Sequence, residues 1–412
     1  MQRGDLFRSA GRTHSDSNVT LDKGDKQVFA YLASFHRATC VGRCTFSDRV
    51  FRVVRMIREF IITLVSLLLA VATTAPVAAQ HPRMVRFQVR SEPLEGLRLI
   101  DVPQRTVILG RDGWLHDTID NVQPSILGTL PIPFRAVTAA EMRGQLLAEF
   151  GRDFEVVPTT HYLIVQPKGR GDRWPKLFEG LYREFVSYME VRGVPVRTGR
   201  FPLVAVVLPD QVAMRTEFQR LGIEVSRVAG VYHLASNRVI MHDQGNAGYV
   251  AETVRHETAH QTAYNVGVHS RVSETPRWVV EGIGSLFEPA VMQDRRLHRS
   301  MRDRVHAGYV KQFLREYADP QRLEHDLRRL VTDDDMFRDE QAIANAYCLS
   351  WAMVFYLSER APEQFATVVQ QTGKWLPFRV YPREQRSQDF ERWVGVEAPM
   401  FATQLNRFVR GL

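Results

Sequence analysis

The sequence predicts an α+β protein in three stretches: a small, mainly β part, a mixed sheet crossed by helices, and a helical C-terminal part. Three observations carry this. Between residues 80 and 157, short apolar–polar alternations such as Val85-Arg-Phe-Gln-Val-Arg90 are separated by turn residues, the period-2 pattern of half-buried strands. From Phe154, apolar runs of strand length alternate with longer amphipathic stretches. After Glu288 the pattern is helical to the end of the chain. With 44% hydrophobic and 24% charged residues in 412, the composition is that of a globular protein with one substantial core and a smaller second domain.

Residues 1–55 are polar, mixed in charge and without periodicity, and are expected to be a non-native or disordered extension. Residues 56–79 begin Met56-Ile-Arg-Glu, continue as an apolar run and end Val77-Ala78-Ala79. That is the form of a secretory signal peptide cleaved after Ala79, which makes Met56 the expected start. The rival reading is a membrane anchor with a cytoplasmic tail, since Phe60 to Ala79 is just long enough to span. The Thr-Thr-Ala-Pro-Val-Ala-Ala ending favours cleavage, so the mature protein is expected to be secreted or periplasmic, meeting the membrane only transiently. Cys40 and Cys44 lie in the extension, leaving Cys348 alone in the mature chain, where no internal disulfide can form. Residues 1–79 hold 11 Lys/Arg and 6 Asp/Glu, so +5 of the formal charge of +8 resides there. No basic cluster with interleaved aromatics follows, and nucleic acid is not an expected partner.

Within residues 80–157, Thr106-Val-Ile-Leu-Gly110 enters the turn Arg111-Asp-Gly-Trp114, and Thr138 with Glu141 forms a capping box that opens a helix to Phe150. Residues 158–412 make the second domain. Its strands are His161 to Gln166, Pro202 to Pro209 and a hairpin of Val231 to Leu234 with Val239 to Asp243; its first helices are Trp174 to Val191 and Gln211 to Leu221. Helices are then expected at Gln293 to Tyr317, Pro320 to Leu330, Phe337 to Ser358, Pro362 to Thr372 and Phe390 to Arg410.

The chemistry concentrates in Val254-Arg-His-Glu-Thr-Ala-His-Gln-Thr-Ala-Tyr264, which contains H-E-x-x-H. No Pro or Gly interrupts Tyr249 to Asn265, so this is a helix. His256 and His260, four apart, then differ by about 40° in azimuth and about 6 Å in height and can meet one metal ion. Glu257 stands about 100° further round, where its carboxylate can take a proton from a metal-activated water instead of binding the metal. Thr275-Pro276 reads as the N-cap and first position of a second helix, which places Glu281 within reach of the two imidazoles. Gly282 and Gly284 suit a close approach of the two helices. Glu274, Glu288 and His269 are the other candidates for a third ligand. Glu274 precedes the helix, His269 lies beyond Gly267, past the expected end of the first one, and Glu288 is better placed to hold a ligand histidine.

His-Glu-Thr-Ala-His260 followed by Pro276-Arg-Trp-Val-Val-Glu-Gly-Ile-Gly-Ser-Leu-Phe-Glu288 resembles the gluzincins, the thermolysin-like zinc peptidases, and more narrowly the peptidase-MA-like bacterial secreted proteins. The resemblance runs from about Thr159 to Leu357 and implies a zincin-like domain: a mixed sheet, the H-E-x-x-H helix and a helical part after it. It implies zinc as cofactor, His256, His260 and Glu281 as its ligands, and Glu257 as the catalytic carboxylate. The longer metzincin motif fails, since Ala263 and Val266 occupy its glycine and histidine positions. The family also implies an edge strand that pairs with an extended substrate, here the strand before the metal helix, and a donor to the oxyanion, for which Tyr347 and Tyr264 are the candidates. His242, at the end of that strand, reads as an outward histidine.

The expected function is that of an exported zinc metallopeptidase acting on a peptide or protein substrate. The competing expectations are a catalytically inert zincin-fold scaffold of the cell envelope and a zinc hydrolase of a non-peptide bond.

Overall fold

The computed structural model describes residues 84–412 other than 90–91, 119–123, 224–228, 245–246 and 298; the expected extension, the expected signal peptide and Cys40 and Cys44 lie outside the described residues. The first sheet is built by local hairpins. Strands β1 (Met84–Val89), β2 (Glu92–Val102), β3 (Arg105–Gly110), β4 (Leu115–Asp117) and β5 (Ser125–Leu130) pair antiparallel in the order β4-β3-β2-β1-β5. Val85, Phe87 and Ile108 form its small core. Helix α1 (Ala139–Phe150) follows, with the Thr138–Glu141 capping box in place on both sides.

The second sheet is mixed. Strands β6 (Phe154–Pro158), β7 (Tyr162–Pro167), β8 (Leu203–Leu208), β9 (Gly230–His233) and β10 (Arg238–His242) take the order β6-β7-β8-β10-β9. β8 runs parallel to β7 and β10, while the outer pairs are antiparallel. Helices α2 (Arg173–Val191), α3 (Gln211–Leu221) and α4 (Ala247–Asn265) connect and cover it. Side-chain alternation assigns the two faces. Leu163, Val165, Val204, Val206 and Ile240 pack with Met142 and Leu146 of α1 and Met214 and Phe218 of α3. Tyr162, Ile164, Ala205, Val207, Val239 and Met241 face the larger core with α2 and α4. Every residue of β8 is therefore buried, as a strand covered on both faces must be. α1 packs on this second sheet and β6 belongs to it, although α1 ends before residue 158 and β6 begins before it.

Helix α5 (Arg277–Leu286) and helices α6 (Ala307–Glu316), α7 (Pro320–Thr332), α8 (Ile343–Arg360), α9 (Pro362–Thr372), α10 (Arg383–Val394) and α11 (Ala398–Arg410) complete the chain. The expected helix from Gln293 is replaced by 3₁₀ turns at Ala290–Gln293 and Arg302–Arg304 before α6 begins. Asp294 to Arg304 is charged on all sides and has no apolar stripe to bury. The expected helix from Phe390 is two helices, broken where Gly395 adopts a left-handed φ of 78°. Among the described residues no helix is long and apolar enough to cross a membrane.

The first sheet is tied to the second through the β9–β10 turn. Leu115 N–H donates to the Ala235 carbonyl at 2.8 Å, and the Arg271 guanidinium donates to the carbonyls of Gly113, Leu234 and Ala235. The strand before the metal helix, expected as the edge, is interior: β10 pairs with β8 on one side and β9 on the other, and β9 is left as an edge of the second sheet, beside α4.

Candidate metal centre

The two histidines of α4 meet as helical spacing requires. Both are buried, their rings stand 4.5 Å apart at 88°, and the two Nε2 atoms are 2.8 Å from each other. Helix α5 supplies the third group, Glu281, whose Oε2 lies 3.3 Å from His256 Nε2 and 3.4 Å from His260 Nε2. Arg277, one turn earlier, holds the other oxygen at 3.2 Å. The approach depends on glycine. A Cβ on Gly284 would fall 2.8 Å from His256 Nε2 and from His260 Cε1, and one on Gly282 would fall 2.6 Å from the Ser350 carbonyl of α8. Gly284 thus lets α5 reach the imidazoles, while Gly282 lets it lie against α8.

The start of α5 differs from expectation by one residue. Pro276, not Thr275, is the N-cap, and its extended ψ of 131° keeps it outside the helix. Asp334, from the segment before α8, accepts the Arg277 N–H at 3.1 Å, so a long-range partner replaces the local cap.

His256, His260 and Glu281 form a buried group able to hold a metal ion. Their donor atoms fit one: His256 Nδ1 faces Glu288 Oε1 at 2.8 Å and so carries its proton there. Its Nε2 lone pair then converges with His260 Nε2 and the Glu281 carboxylate, three acceptors with a single cation to share. Burial alone would lower the His256 pKa, but the carboxylates of Glu281 and Glu288 hold it well above its ordinary value. Burial would raise Glu281 and Glu288, yet the imidazoles hold Glu281 well below the carboxylate range and pull Glu288 down to about 2.

Glu257 stays out of this group. Its Oε2 accepts the backbone N–H of Tyr232 on edge strand β9 at 2.7 Å. Tyr347 comes to the site from α8, with its ring 6.2 Å from that of His256. Burial, and then the charge of Glu281, push its pKa up, so the hydroxyl keeps its proton. Tyr264 is turned to other partners, its ring stacked at 5.6 Å on Tyr232 and 5.2 Å from His269. The remaining ligand candidates are not in the group. Glu274 accepts the Tyr381 N–H at 2.7 Å and faces Arg386. His269 is buried near His260, and burial with that neighbour lowers its pKa to about 3. His242, read from the sequence as an outward histidine, is instead buried at the end of β10, where its Nδ1 accepts the Gln244 amide.

Sequence reasoning missed the surroundings of Glu288. Its carbonyl accepts from Arg255 Nε at 2.6 Å, its Oε1 from the Tyr309 hydroxyl at 3.3 Å, and its Oε2 stands 3.2 Å from His306 Nε2. Burial pulls the His306 pKa down, and Glu288 with Glu252 pushes it above its ordinary value. A second ring proton would, however, have to sit on Nδ1, where the Tyr309 N–H already points at 3.1 Å. No spacing rule connects residues 288 and 306, and nothing in the sequence marks the pair.

Residues 250–379 match a family described as protein of unknown function (DUF1570). The matched segment contains His256, Glu257, His260, Glu281, Glu288, His306 and Tyr347. No curated protein matches the chain.

Proposed function

We propose that this chain is a zinc-dependent peptidase of the gluzincin kind, exported by way of residues 56–79. The observation that carries the reading is the convergence of His256 Nε2, His260 Nε2 and Glu281 Oε2, 2.8–3.4 Å from one another, beside a carboxylate that stands outside the group. Two imidazoles and one carboxylate suit zinc, which when bound is a Lewis acid that polarises a carbonyl and eases the ionisation of water. Glu257, with Oε2 held by the Tyr232 amide, has Oε1 to take the proton of the attacking water and pass it to the departing amine as the C–N bond breaks. Tyr347, kept protonated by burial and by Glu281, donates to the oxygen that becomes negative on the scissile carbonyl. Arg277 orients Glu281, and Glu288 orients His256. An extended peptide alongside β9 would place its backbone next to Glu257, in line with the resemblance to peptidases that use an edge strand.

Metal analysis of the purified protein and digestion of a peptide library, for wild type and Glu257→Gln, test this. Stoichiometric zinc and a closely similar melting temperature are expected in both, with cleavage by the wild type alone. Zinc without cleavage of any peptide by the wild type would move the assignment to an inert scaffold or to a hydrolase of another bond. Loss of zinc from Glu257→Gln would make Glu257 a ligand and overturn its role as base.

A further inference from the structure

Glu252, Glu288 and His306 come close enough together to resemble a second metal group. The tautomer of His306 argues against that. The Tyr309 N–H donates to Nδ1 at 3.1 Å, so Nδ1 presents its lone pair and the ring proton sits on Nε2. A cation at Nε2 would need the proton on Nδ1, against the Tyr309 amide. Nε2–H instead bonds Glu252 Oε1 at 3.0 Å, and Glu288 Oε2 stands 3.2 Å from the same nitrogen.

From Glu288 the chain of contacts continues to the metal group. Its Oε2 faces His306, while its Oε1 accepts from the Tyr309 hydroxyl and from His256 Nδ1. The Glu288 backbone is held as well, through its carbonyl to Arg255. An ionised carboxylate can only accept, so His256 must present Nδ1–H to it, and the His306 edge beside Oε2 holds the carboxylate in the orientation that faces His256. The His256 Nε2 lone pair is then directed at His260 and Glu281. We infer that His306 is a positioning residue for the metal centre, fixing through Glu288 the ring orientation and tautomer of His256. The inference rests on the reading of His256 as a metal ligand.

His306 also caps α6, because the Tyr309 amide it accepts belongs to the first turn of that helix. Two substitutions separate the roles. In His306→Asn the amide oxygen takes the place of Nδ1 and keeps the cap, asparagine being a strong N-cap residue, but nothing reaches Glu288. In His306→Gln the longer amide reaches toward Glu288 and the cap is weakened. Zinc affinity in competition with a chromophoric chelator, the visible spectrum of the cobalt-substituted protein and the melting temperature of the metal-free protein are measured for both. His306→Asn is expected to melt close to wild type while binding zinc about 10–100-fold more weakly and with an altered cobalt spectrum. His306→Gln is expected to melt a few degrees lower with zinc affinity within about threefold of wild type.

Wild-type affinity and spectrum in His306→Asn would overturn the inference, as would affinity losses in both variants that merely follow their melting temperatures. Should His306→Asn fail to fold, a tenfold loss in His306→Gln overturns it equally. A wild type that takes up neither zinc nor cobalt removes the metal reading and this inference together, whereas a wild type that binds beside an unaffected His306→Asn removes the inference alone.

Discussion

Replacing Gly284 by alanine should damage the metal site far more than the fold. The added Cβ would stand 2.8 Å from His256 Nε2, His256 Cε1 and His260 Cε1, about 0.6 Å inside the 3.4 Å at which ordinary contact begins. Neither ring has an easy retreat, since His256 is held by Glu288 and both rings are buried. Overpacking of this kind costs about 1–3 kcal/mol, and alanine returns about 1 kcal/mol of helix propensity. The metal-free protein should therefore lose only about 0–2 kcal/mol, a shift of a few degrees in melting temperature. Metal binding tolerates far less, because ligand distances must hold to within about 0.2 Å. Displacement of the nitrogens by several tenths of an ångström should weaken zinc binding at least about tenfold. The control is Gly144→Ala in α1, where a Cβ meets nothing within 4 Å and the propensity gain stands alone, about 1 kcal/mol of stabilisation with metal affinity unchanged. Chelator competition and thermal melts of the three proteins decide the matter. Wild-type zinc affinity in Gly284→Ala would refute the claim that α5 reaches the imidazoles through that glycine.

Three further outcomes follow from the same geometry. Tyr347→Phe should lower kcat on the order of 10²-fold with zinc content unchanged, as measured by peptide hydrolysis; a near-normal kcat would return Tyr347 to a packing role and direct attention to Tyr264. In a zinc titration Glu281→Ala should lose binding severely, whereas Glu288→Ala should weaken it by about 10–100-fold at most, and the opposite ranking would mean that the third ligand is misassigned. His233 offers a pH test away from the metal group: burial, with Arg271 and Arg238 nearby, lowers its pKa to about 4 from 6.5. The unfolded chain takes up that proton near pH 6.5 while the folded chain resists it to about pH 4, so stability should fall as pH drops through this window. At about 1.4 kcal/mol per unit, discounted for partial exposure, the loss is on the order of 2 kcal/mol, and thermal melts of His233→Gln should show a flatter profile between those limits.

What the sequence alone determined lies within single elements. The meeting of His256 with His260, and the separation of Glu257 from them, follow from 100° and 1.5 Å per residue, which hold in any α-helix whatever surrounds it. The capping box of α1 and the alternation of β1 are local in the same sense, set by residues three apart or by a period of two. Gly282 and Gly284 announced a close helix approach, but which of them faces the metal group was not written in their spacing. The tertiary structure decided what crosses between elements. Tyr232 and Glu257 are 25 residues apart, and their contact depends on how edge strand β9 lies against α4. Asp334 takes over the start of α5 from Thr275 because the segment before α8 passes there. Glu281, and not Glu274, faces the imidazoles, since Tyr381 and Arg386 engage Glu274 from beyond α9. His306 reaches Glu288 across a charged stretch that, among the described residues, forms only short 3₁₀ turns, so no α-helical periodicity relates the two. In each case the pairing is set by the packing of whole elements, and sequence separation carries no information about which side chains that packing will bring together.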